Sequence, residues 1–407
     1  MKKNRININL STTSSAPIER MGNLLKTHKH DWPIIDLSQA VPIAPPPKTL
    51  LNAVKSAATK SENYRYGSIL GKMELRNAIA TQWNKIYSSR IRREEIGITS
   101  GCNQAFCAAI SSIANPGDSI VLPSPWYFNH KMWLDILGIK VIPLPCDGKY
   151  RPCLLKLKKI FNKSIKAVVL VTPNNPTGQE YPKSLIKKIA NFVQKKNISL
   201  IIDETYRDFI SKKTSLHNLF QGNKWQKWLI HIYSFSKSYR IPGHRIGAII
   251  TGENRLKHIE KFLDTLTICP SQIGQEAALF GVCHLSTFVE KQRLELIERK
   301  KTLIKTMKKL PNWKILSIGA YFAYIKYPIA LPSLHFSEIL LKEVSVLVMP
   351  GSFFEQTVKQ KGQDRHIRIA FANVNKTELV ELVNRLASFE ILFYEKYCFP
   401  QKTSLEG

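Results

Sequence analysis

A lysine flanked by small hydroxyl side chains follows one of the apolar runs of the sequence. Lys237 comes directly after this run, with Ser234 and Ser236 just before it. Open α/β sheets bind their ligands at the carboxyl ends of the strands, which is where such a lysine would lie. Arg245 follows shortly and could return to the same edge, where its guanidinium would hold an anion through a forked contact. Together these groups predict a phosphate-anchored cofactor site, although an exposed lysine in a turn is the simpler interpretation of Lys237 alone.

An acidic residue ends a second apolar run. Asp203 follows the run 200–202 and precedes Tyr206 by three residues. The run is too apolar to reach water, so a carboxylate at its end needs a cationic partner to offset the loss of hydration. The sequence therefore predicts a charged contact at this strand end, with capping of a following helix as the alternative for Asp203 alone.

Three further strand ends carry turn-forming, glycine or aromatic residues. Asn175 lies in the sequence Pro-Asn-Asn-Pro-Thr-Gly, which is also an ordinary turn composition. Gly101, Cys102 and Asn103 link an apolar run to a helical pattern, and the first N–H groups of such a helix can bind a phosphate. Tyr127 follows the next run and could stack on a planar ring, or it could be a core aromatic residue.

The segments that must position these residues alternate between apolar runs and amphipathic helical patterns. Such alternation predicts an α/β layer with a mostly parallel sheet. Runs such as 167–171 and 200–202 are apolar on both strand faces, so helices must cover both sides of that sheet. The predicted strands are 95–99, 119–122, 140–143, 166–172, 199–203, 229–235 and 246–251. The predicted helices between them include 104–114, 182–195 and 254–266.

The pattern changes beyond about residue 285. A long charged helix over about 287–310 precedes strand-like segments at 321–326 and 367–371, and a final helix begins near Lys376. This mixture predicts a second, smaller α+β domain.

The start of the chain is predicted to form a separate arm. The first thirty residues are polar enough to be mobile or to lie on the surface, and prolines 42, 45, 46 and 47 form a stiff break after them. We therefore divide the chain into 1–47, the arm with part of the small domain, 48–285, the large cofactor-binding domain, and 286–407, the small C-terminal domain.

Length and charge narrow the possible classes of protein. The chain has 407 residues, of which 44% are hydrophobic, so it can bury the large core of two domains. It carries 60 Lys and Arg against 30 Asp and Glu, a formal charge of +30. The basic residues are spread along the whole chain, as is typical of solvated faces, so no nucleic-acid partner is expected.

The cysteines indicate a reducing environment and no metal. The chain has 7 of them, at positions 102, 107, 146, 153, 269, 283 and 398, without the paired short spacing of a zinc site or disulfide framework. No apolar stretch reaches the roughly 18 residues of a membrane span, and no signal-peptide core follows the first lysines. A cytoplasmic protein without a membrane partner is therefore expected.

Taken in order, these segments resemble the fold-type I pyridoxal-phosphate enzymes of the class I/II aminotransferase family. The resemblance runs from about Asp36 to Ala372 and includes Tyr66 to Gly71, Leu-Arg at 75–76 and Ala-Ile-Ala at 78–80. It continues through the strand-end segments described above to Arg368. It implies pyridoxal 5′-phosphate as cofactor. It also implies an α/β fold in which a three-layer α/β/α large domain has a mainly parallel seven-stranded sheet, beside a smaller α+β domain.

The resemblance assigns roles to the cofactor-binding residues. Lys237 would be the Schiff-base lysine, and Asp203 would face the ring nitrogen and keep the ring protonated as an electron sink. Tyr206 and Asn175 would hydrogen-bond the phenolic oxygen, while Tyr127 would stack on the ring. The phosphate would be held by Ser234, Ser236, Arg245 and the N–H groups around Gly101, Cys102 and Asn103.

Substrate binding and assembly are implied in the same way. Arg368 would grip the substrate α-carboxylate bidentately, with Asn175 and Ala40 beside it, and Ala40 stands where many members have glycine. The tyrosine matching Tyr66 reaches over from the neighbouring subunit in the family, which implies a homodimer with shared sites. Some aspartate-preferring members have a lysine at the position of Asn103, so its absence favours a neutral or aromatic amino donor.

The implied reaction moves an amino group from an L-amino acid to a 2-oxo acid in two half-reactions, with Lys237 as the proton carrier. Two other functions remain open. The same site could serve a lyase or cyclase, of the C–S β-lyase or aminocyclopropane-carboxylate-synthase type, because the shared electron sink permits these reactions. A nucleic-acid-binding regulator that uses the +30 charge is the alternative from another class.

Overall fold

The computed structural model of the chain describes residues 6–29, 32–42, 44–212, 214–222, 224–355 and 364–394. Its helices are α1 (Ile8–Thr12), α2 (Pro17–Thr27), α3 (Lys48–Ala58), α4 (Met73–Tyr87), α5 (Cys102–Ser111), α6 (Phe128–Ile136), α7 (Leu154–Ile160), α8 (Lys183–Lys195), α9 (Phe235–Ser238), α10 (Glu253–Thr267), α11 (Gln272–His284), α12 (Ser286–Met307), α13 (Ser333–Val344) and α14 (Lys376–Phe393). Its strands are β1 (Ile35–Asp36), β2 (Ile96–Thr99), β3 (Ser119–Ser124), β4 (Lys140–Pro145), β5 (Ile165–Val171), β6 (Ser199–Asp203), β7 (Leu229–Ser234), β8 (Gly247–Ile250), β9 (Lys314–Gly319), β10 (Phe322–Lys326), β11 (Val346–Leu347), β12 (Met349–Pro350) and β13 (His366–Ile369).

The largest sheet contains the strands predicted from the apolar runs. Its 7 strands lie in the order β2-β8-β7-β6-β5-β3-β4. Strand β8 is antiparallel to both of its neighbours, and the other neighbouring pairs are parallel. The prediction of a mainly parallel seven-stranded sheet is confirmed.

Helices cover both faces of this sheet. Along β5, Val168 and Leu170 face a core shared with α4, α8 and α11. Their neighbours Ala167 and Val169 face a second core shared with α5, α6 and α10. Successive side chains of a strand point to opposite faces, so a strand apolar at every position needs this double cover. The predicted three-layer α/β/α arrangement is confirmed.

A second sheet lies in the C-terminal part of the chain. Four antiparallel strands run in the order β12-β13-β10-β9, and α12, α13 and α14 contribute to the core beside them. Helix α14 begins with a capping box, in which Asn375 accepts from the backbone of Glu378 and the Glu378 carboxylate accepts in return. The α+β character predicted for this region is confirmed.

Residues 17–27 of the predicted arm form helix α2, which packs on the rest of the chain. Helix α2 buries Met21 in a cluster with Phe128, Leu341 and Phe354, which belong to the large and the small sheet regions. Ile18, Met21 and Leu25 recur at helical spacing, and this apolar stripe is the signal that the sequence-based interpretation missed. Of the two forms predicted for the arm, the surface-bound one fits residues 17–27. Strand β1 then pairs in parallel with β11.

Six of the cysteines are free thiols, and Cys398 lies outside the described residues. Among the helices described, none has the length and apolarity that crossing a membrane requires. The domain limits at 47 and 285 stay a prediction.

Candidate active site

The predicted site residues meet in one cavity at the carboxyl end of the large sheet. This cavity has a volume of about 260 Å³ and lies where β6 and β7 end, closed on the other side by residues of α2, the 39–41 segment and β13. Twelve of the predicted residues line it: Ala40, Cys102, Asn103, Tyr127, Asn175, Asp203, Tyr206, Ser234, Ser236, Lys237, Arg245 and Arg368. Gly101 lies directly behind this lining, and Tyr66 does not line it.

Lys237 lies in the short helix α9 that continues from β7. Ser234 caps this helix by accepting from the backbone N–H of Ser236 at 3.3 Å. The Lys237 Nζ donates a hydrogen bond to the backbone oxygen of Ala40. Burial, together with the charges of Arg245 and Arg368, lowers the pKa of Lys237 from 10.5 to about 8. The amine is therefore easier to deprotonate than an exposed lysine, as a nucleophile or base requires.

Asp203 is buried at the end of β6 and does have a basic partner. The Nε2 atom of His130 lies 3.3 Å from Asp203 Oδ2, and the Thr205 N–H donates to Oδ1 at 2.9 Å. Burial acts to raise the pKa of Asp203, but the contacts with His130 and Thr205 outweigh it and lower the pKa. The carboxylate thus stays charged inside the cavity. Its bond to Thr205 is local, but the short 3-10 helix that follows, Arg207–Phe209, begins after Tyr206, so helix capping does not explain Asp203.

The segments that contain Gly101, Ser236 and Gly247 lie close together and could bind an anion. Gly101 has φ +84° and precedes α5, and a Cβ there would lie 2.2 Å from Arg245 Nη2. A Cβ on Gly247 would lie 2.7 Å from the backbone N of Cys102. Glycine is therefore needed at both positions for the start of α5, β8 and Arg245 to approach one another. The buried Ser236 Oγ has no hydrogen-bond partner among the described residues.

Arg368 is a fully buried cation on β13. Its Nη1 donates to Asn175 Oδ1 at 2.9 Å, and its Nη2 donates to the backbone oxygen of Ser38. Its Nε has no hydrogen-bond partner within the described chain. Burial lowers its pKa to about 10. No carboxylate of the described residues forms an ion pair with this buried guanidinium, so it is suited to bind an anionic ligand.

Two tyrosines and two asparagines complete the lining. Tyr206 is buried against the ring of Phe322 at 5.0 Å, and burial raises the pKa of its hydroxyl well above 10.0. The Tyr127 hydroxyl accepts from Asn129 Nδ2 at 2.9 Å and lies 3.5 Å from Asn103 Oδ1. Burial raises the pKa of Tyr127 to about 12, so both phenols are neutral hydrogen-bonding groups at neutral pH.

Tyr66 stands apart from the other predicted residues. Its side chain is 80% exposed, and the neighbouring Tyr64 is 74% exposed. The backbone N of the following Gly67 contacts Cys269 Sγ at 3.3 Å, which ties this segment to the residues before α11. Within one chain, therefore, Tyr66 is brought together with none of the cavity residues.

His130 is the residue that sequence reasoning missed. It lies three positions after Tyr127 on α6, and its ring stacks on Phe106 of α5 at 3.8 Å between centroids. Two residues three apart share a helix face, so the spacing from Tyr127 could have suggested a place near the site. The pairing with Asp203 depends on how α5 and α6 pack on the sheet, which the sequence does not show.

A second buried group of ionisable residues lies behind the cavity. Glu204 follows Asp203, and its carboxylate lies 3.2 Å from His217 Nε2 and 3.0 Å from His231 Nε2. Such a set could hold a metal ion. However, His217 Nδ1 accepts from the Leu219 N–H at 3.2 Å, so a proton of this ring lies on Nε2, the nitrogen that is 3.2 Å from the Glu204 carboxylate. A protonated Nε2 has no free lone pair, so this contact suits a pairing with the carboxylate rather than a metal ligand.

The comparisons with known proteins agree with this geometry. The family model described as aminotransferase class I and II matches residues 33–386. The chain is 26% identical over 365 residues to an aspartate aminotransferase of Pyrococcus horikoshii, covering 87% of this chain and 90% of that protein. It is 25% identical to aromatic-amino-acid aminotransferase 2 of Thermococcus litoralis, with 87% and 90% covered.

A solved structure shows a similar fold. A mutant of the Thermus thermophilus aspartate aminotransferase matches with a TM-score of 0.86 at 22% identity, covering 94% of this chain and 99% of that one.

Proposed function

Because this chain belongs to the aminotransferase class I and II family, we propose that it is a pyridoxal-phosphate-dependent transaminase acting on an L-amino acid and a 2-oxo acid. One observation carries the proposal. The buried amine of Lys237, the charged carboxylate of Asp203 and the buried guanidinium of Arg368 line the same cavity. They supply, in turn, the covalent attachment, the charge for a protonated ring nitrogen and the substrate anchor.

The residues present fit pyridoxal 5′-phosphate. The unpartnered Ser236 hydroxyl, Ser234, Arg245 and the start of α5 beside Gly101 are donors of the kind a phosphate accepts. Lys237 would attach the cofactor through its Nζ, while Asn175 and Tyr206 would bond its phenolic oxygen and Tyr127 would lie against its ring. When bound, this cofactor withdraws electrons from the Cα of an attached amino acid.

The chain's own groups then control the proton. Arg368, oriented by Asn175, holds the substrate carboxylate and so fixes which bond of Cα faces the cofactor plane. The substrate amine would replace Lys237 on the cofactor, and the freed Nζ of Lys237 would then take the proton from Cα. With a pKa of about 8, roughly one amine in ten is already neutral at pH 7, far more than for an exposed lysine.

We propose an amino donor with an uncharged side chain. The cavity lining also includes Ile18, Asn103 and Asn129, whose side chains are uncharged. Among the lining residues that the structure describes, the cations are Lys237, Arg245 and Arg368, and each already has a proposed role. No lining cation of this chain is thus left for a side-chain carboxylate, whereas the two asparagine amides could bond a neutral polar or phenolic group.

We also propose that the protein is a homodimer in the cytoplasm. Tyr66, Tyr64, Met73, Leu266 and Ile268 are large apolar or aromatic side chains exposed on one chain. An interface between two chains would cover such side chains, and Tyr66 would reach the partner's cavity across it. The free thiols fit a reducing compartment.

The function is tested by the visible spectrum of the cofactor. The purified chain is loaded with pyridoxal 5′-phosphate and mixed with single amino acids, and a 2-oxo acid is added afterwards. An aminotransferase accumulates the aminated cofactor and is returned to its first spectrum by the 2-oxo acid. Release of ammonia without an acceptor would instead identify a lyase, which no observation here favours.

Attachment is tested separately. Borohydride should fix the cofactor on Lys237 of the wild-type protein, as found by peptide mass spectrometry. Lys237→Ala serves as the control and should retain no reduced adduct. A wild-type chain that gives no adduct would contradict the proposed function.

A further inference from the structure

A tight turn brings a backbone carbonyl to Lys237. The Val41 N–H donates to the Gln39 oxygen at 2.9 Å, which closes a three-residue turn centred on Ala40. The Ala40 oxygen, left outside this turn, accepts from Lys237 Nζ. The conformation of the turn therefore decides whether the reactive amine has a hydrogen-bond acceptor.

A single side chain holds both arms of the turn. Asn373 Oδ1 accepts from the Val41 N–H at 3.1 Å, and Asn373 Nδ2 donates to the Gln39 oxygen. These bonds lie on either side of Ala40. A carboxamide carries one acceptor and one donor group side by side, so it can share the N–H and the C=O that close such a turn.

Asn373 is itself held rigidly. It is 8% exposed and ends a short 3-10 helix, Phe371–Asn373, in which its N–H donates to the Ala370 oxygen at 3.0 Å. The Ala370 N–H in turn donates to the Leu37 oxygen at 3.0 Å, just before the turn. The backbone of Asn373 is thus linked, through Ala370, to the chain just before the turn that its side chain bonds.

Arg368 holds the neighbouring part of the loop in a different way. Its Nη2 donates to the Ser38 oxygen, one residue before the turn. A substrate carboxylate at Arg368 would compete with this bond, because the guanidinium has a limited set of donors. Asn373 does not line the cavity, so its bonds to the turn do not depend on substrate.

We propose that Asn373 is a positioning residue of this enzyme, which holds the 39–41 turn so that the Ala40 oxygen stays against the Lys237 amine while Arg368 binds substrate. The inference rests on the proposed function, in which that amine carries the substrate proton. Asn373 touches neither substrate nor cofactor in this proposal and acts through the turn.

Loss of the turn would change the acidity of Lys237. A carbonyl that accepts from an ammonium group favours the charged form, so losing it lowers the pKa of Lys237 further. The other charged groups lining the cavity are Asp203, Arg245 and Arg368, and they would be the same in a variant at Asn373.

The test uses two variants and the cofactor-free protein. Asn373→Ala removes both bonds, and Asn373→Leu removes them while keeping the side-chain size. The pH dependence of labelling of Lys237 by an amine reagent is measured by peptide mass spectrometry. We expect its midpoint to fall by about half to one pH unit in both variants, the worth of one hydrogen bond. In the loaded enzyme we expect kcat to fall about 5- to 10-fold, with a smaller change in KM.

Asn375→Ala is the matched control. Asn375 lies two residues further on and caps α14 through a bond from the Glu378 N–H at 2.9 Å. Its removal should lower the melting temperature but leave the labelling midpoint and kcat unchanged. The proposal is overturned if the folded Asn373 variants keep the wild-type midpoint, or if Asn375→Ala moves it equally.

Two features keep the test decisive. The leucine variant, which leaves no cavity, carries the test if Asn373→Ala does not fold. The labelling midpoint needs no catalysis, so it reports on the turn even if the wild-type protein transfers no amino group. A wild-type protein that transfers no amino group would contradict the proposed function but not the role of Asn373.

Discussion

At the scale of single residues, each ionisable group of the cavity has a different neighbour that sets its charge. His130 keeps Asp203 ionised against the cost of burial. Arg368 forms no ion pair with a carboxylate among the described residues, and burial lowers its pKa to about 10. The same burial lowers the pKa of Lys237 to about 8. Burying three ionisable side chains in one cavity destabilises a fold, so their presence together indicates a site kept for chemistry.

Replacing Lys237 by methionine should stabilise the cofactor-free protein at neutral pH. The unfolded chain has a lysine pKa near 10.5 and the folded chain about 8, so folding must overcome about 3 kcal/mol below pH 8. Between pH 8 and 10.5 the unfolded state binds more protons, so the stability of the wild-type protein rises with pH there. The advantage of Lys237→Met should therefore shrink over that range, as measured by urea unfolding.

The exposed Lys309 provides the control for this comparison. Lys309→Met changes the same residue type on the surface. Its effect on the free energy of unfolding should stay small and vary little between pH 7 and 10.5. The same pH dependence in both variants would show that Lys237 is not destabilised by its surroundings.

At the scale of elements, the end of β6 is fixed from both faces of the sheet. Asp203 points toward α5 and α6, where it meets His130, and Glu204 points toward the opposite face. There the Glu204 carboxylate accepts from the Tyr87 hydroxyl of α4 and contacts His231 of β7. Adjacent residues of an extended chain point in opposite directions, so Asp203 lies in the cavity and Glu204 bonds the side chains on the other face of the sheet.

Because the buried Glu204 carboxylate bonds several side chains, we expect Glu204→Gln to be strongly destabilising. Gln would leave Tyr87, His217 and His231 without their common anion in a fully buried place. A hydrogen bond to a buried charged group contributes about 1.5–3 kcal/mol, and this carboxylate bonds both Tyr87 and His231, so its loss should cost about 3 kcal/mol or more. Urea unfolding of the variant should show a loss of this size.

Glu253→Gln is the matched surface variant. Its carboxylate is 42% exposed and pairs with Arg92 and Lys257. Its loss should cost no more than about 0.5 kcal/mol. If Glu204→Gln costs no more than this surface variant, the buried network does not stabilise the end of β6.

At the scale of the whole molecule, the cavity needs both sheets and the N-terminal segment. Lys237 and Asp203 follow strands of the large sheet, Arg368 belongs to the small sheet, and Ile18 comes from α2. The relative placement of these parts therefore sets the distance between the proposed chemistry and the proposed carboxylate anchor.

The proposed dimer can be tested by mixing two inactive chains. Lys237→Ala and Tyr66→Ala are co-expressed with different tags, and the mixed dimer is isolated. If Tyr66 serves the partner's cavity, one site of the mixed dimer has both native residues, so about half of the wild-type activity should return.

A second pair of chains controls for this result. Lys237 and Arg368 line the cavity of one chain, so the mixed dimer of Lys237→Ala and Arg368→Ala should stay inactive. Recovery in this control, or none with Tyr66→Ala, would contradict the sharing of sites through Tyr66.

The sequence by itself determined the strands of the large sheet and which residues stand at their ends. Runs such as 166–172 are apolar at nearly every position, and this property is local, so it can be found without the fold. Parallel strands end at one edge of a sheet, so Asp203 and Lys237 could also be placed together in advance. The resemblance then added Arg368, which no local pattern connects to that edge.

Only the tertiary structure decided which partners these residues have. His130 meets Asp203 because α6 packs on the sheet, and Asn373 meets the 39–41 turn although 332 positions separate it from Val41. Helix α2 likewise gains its place from a cluster with Phe128 and Leu341. Such contacts depend on the packing of whole elements against one another, and neither periodicity nor residue type carries that information.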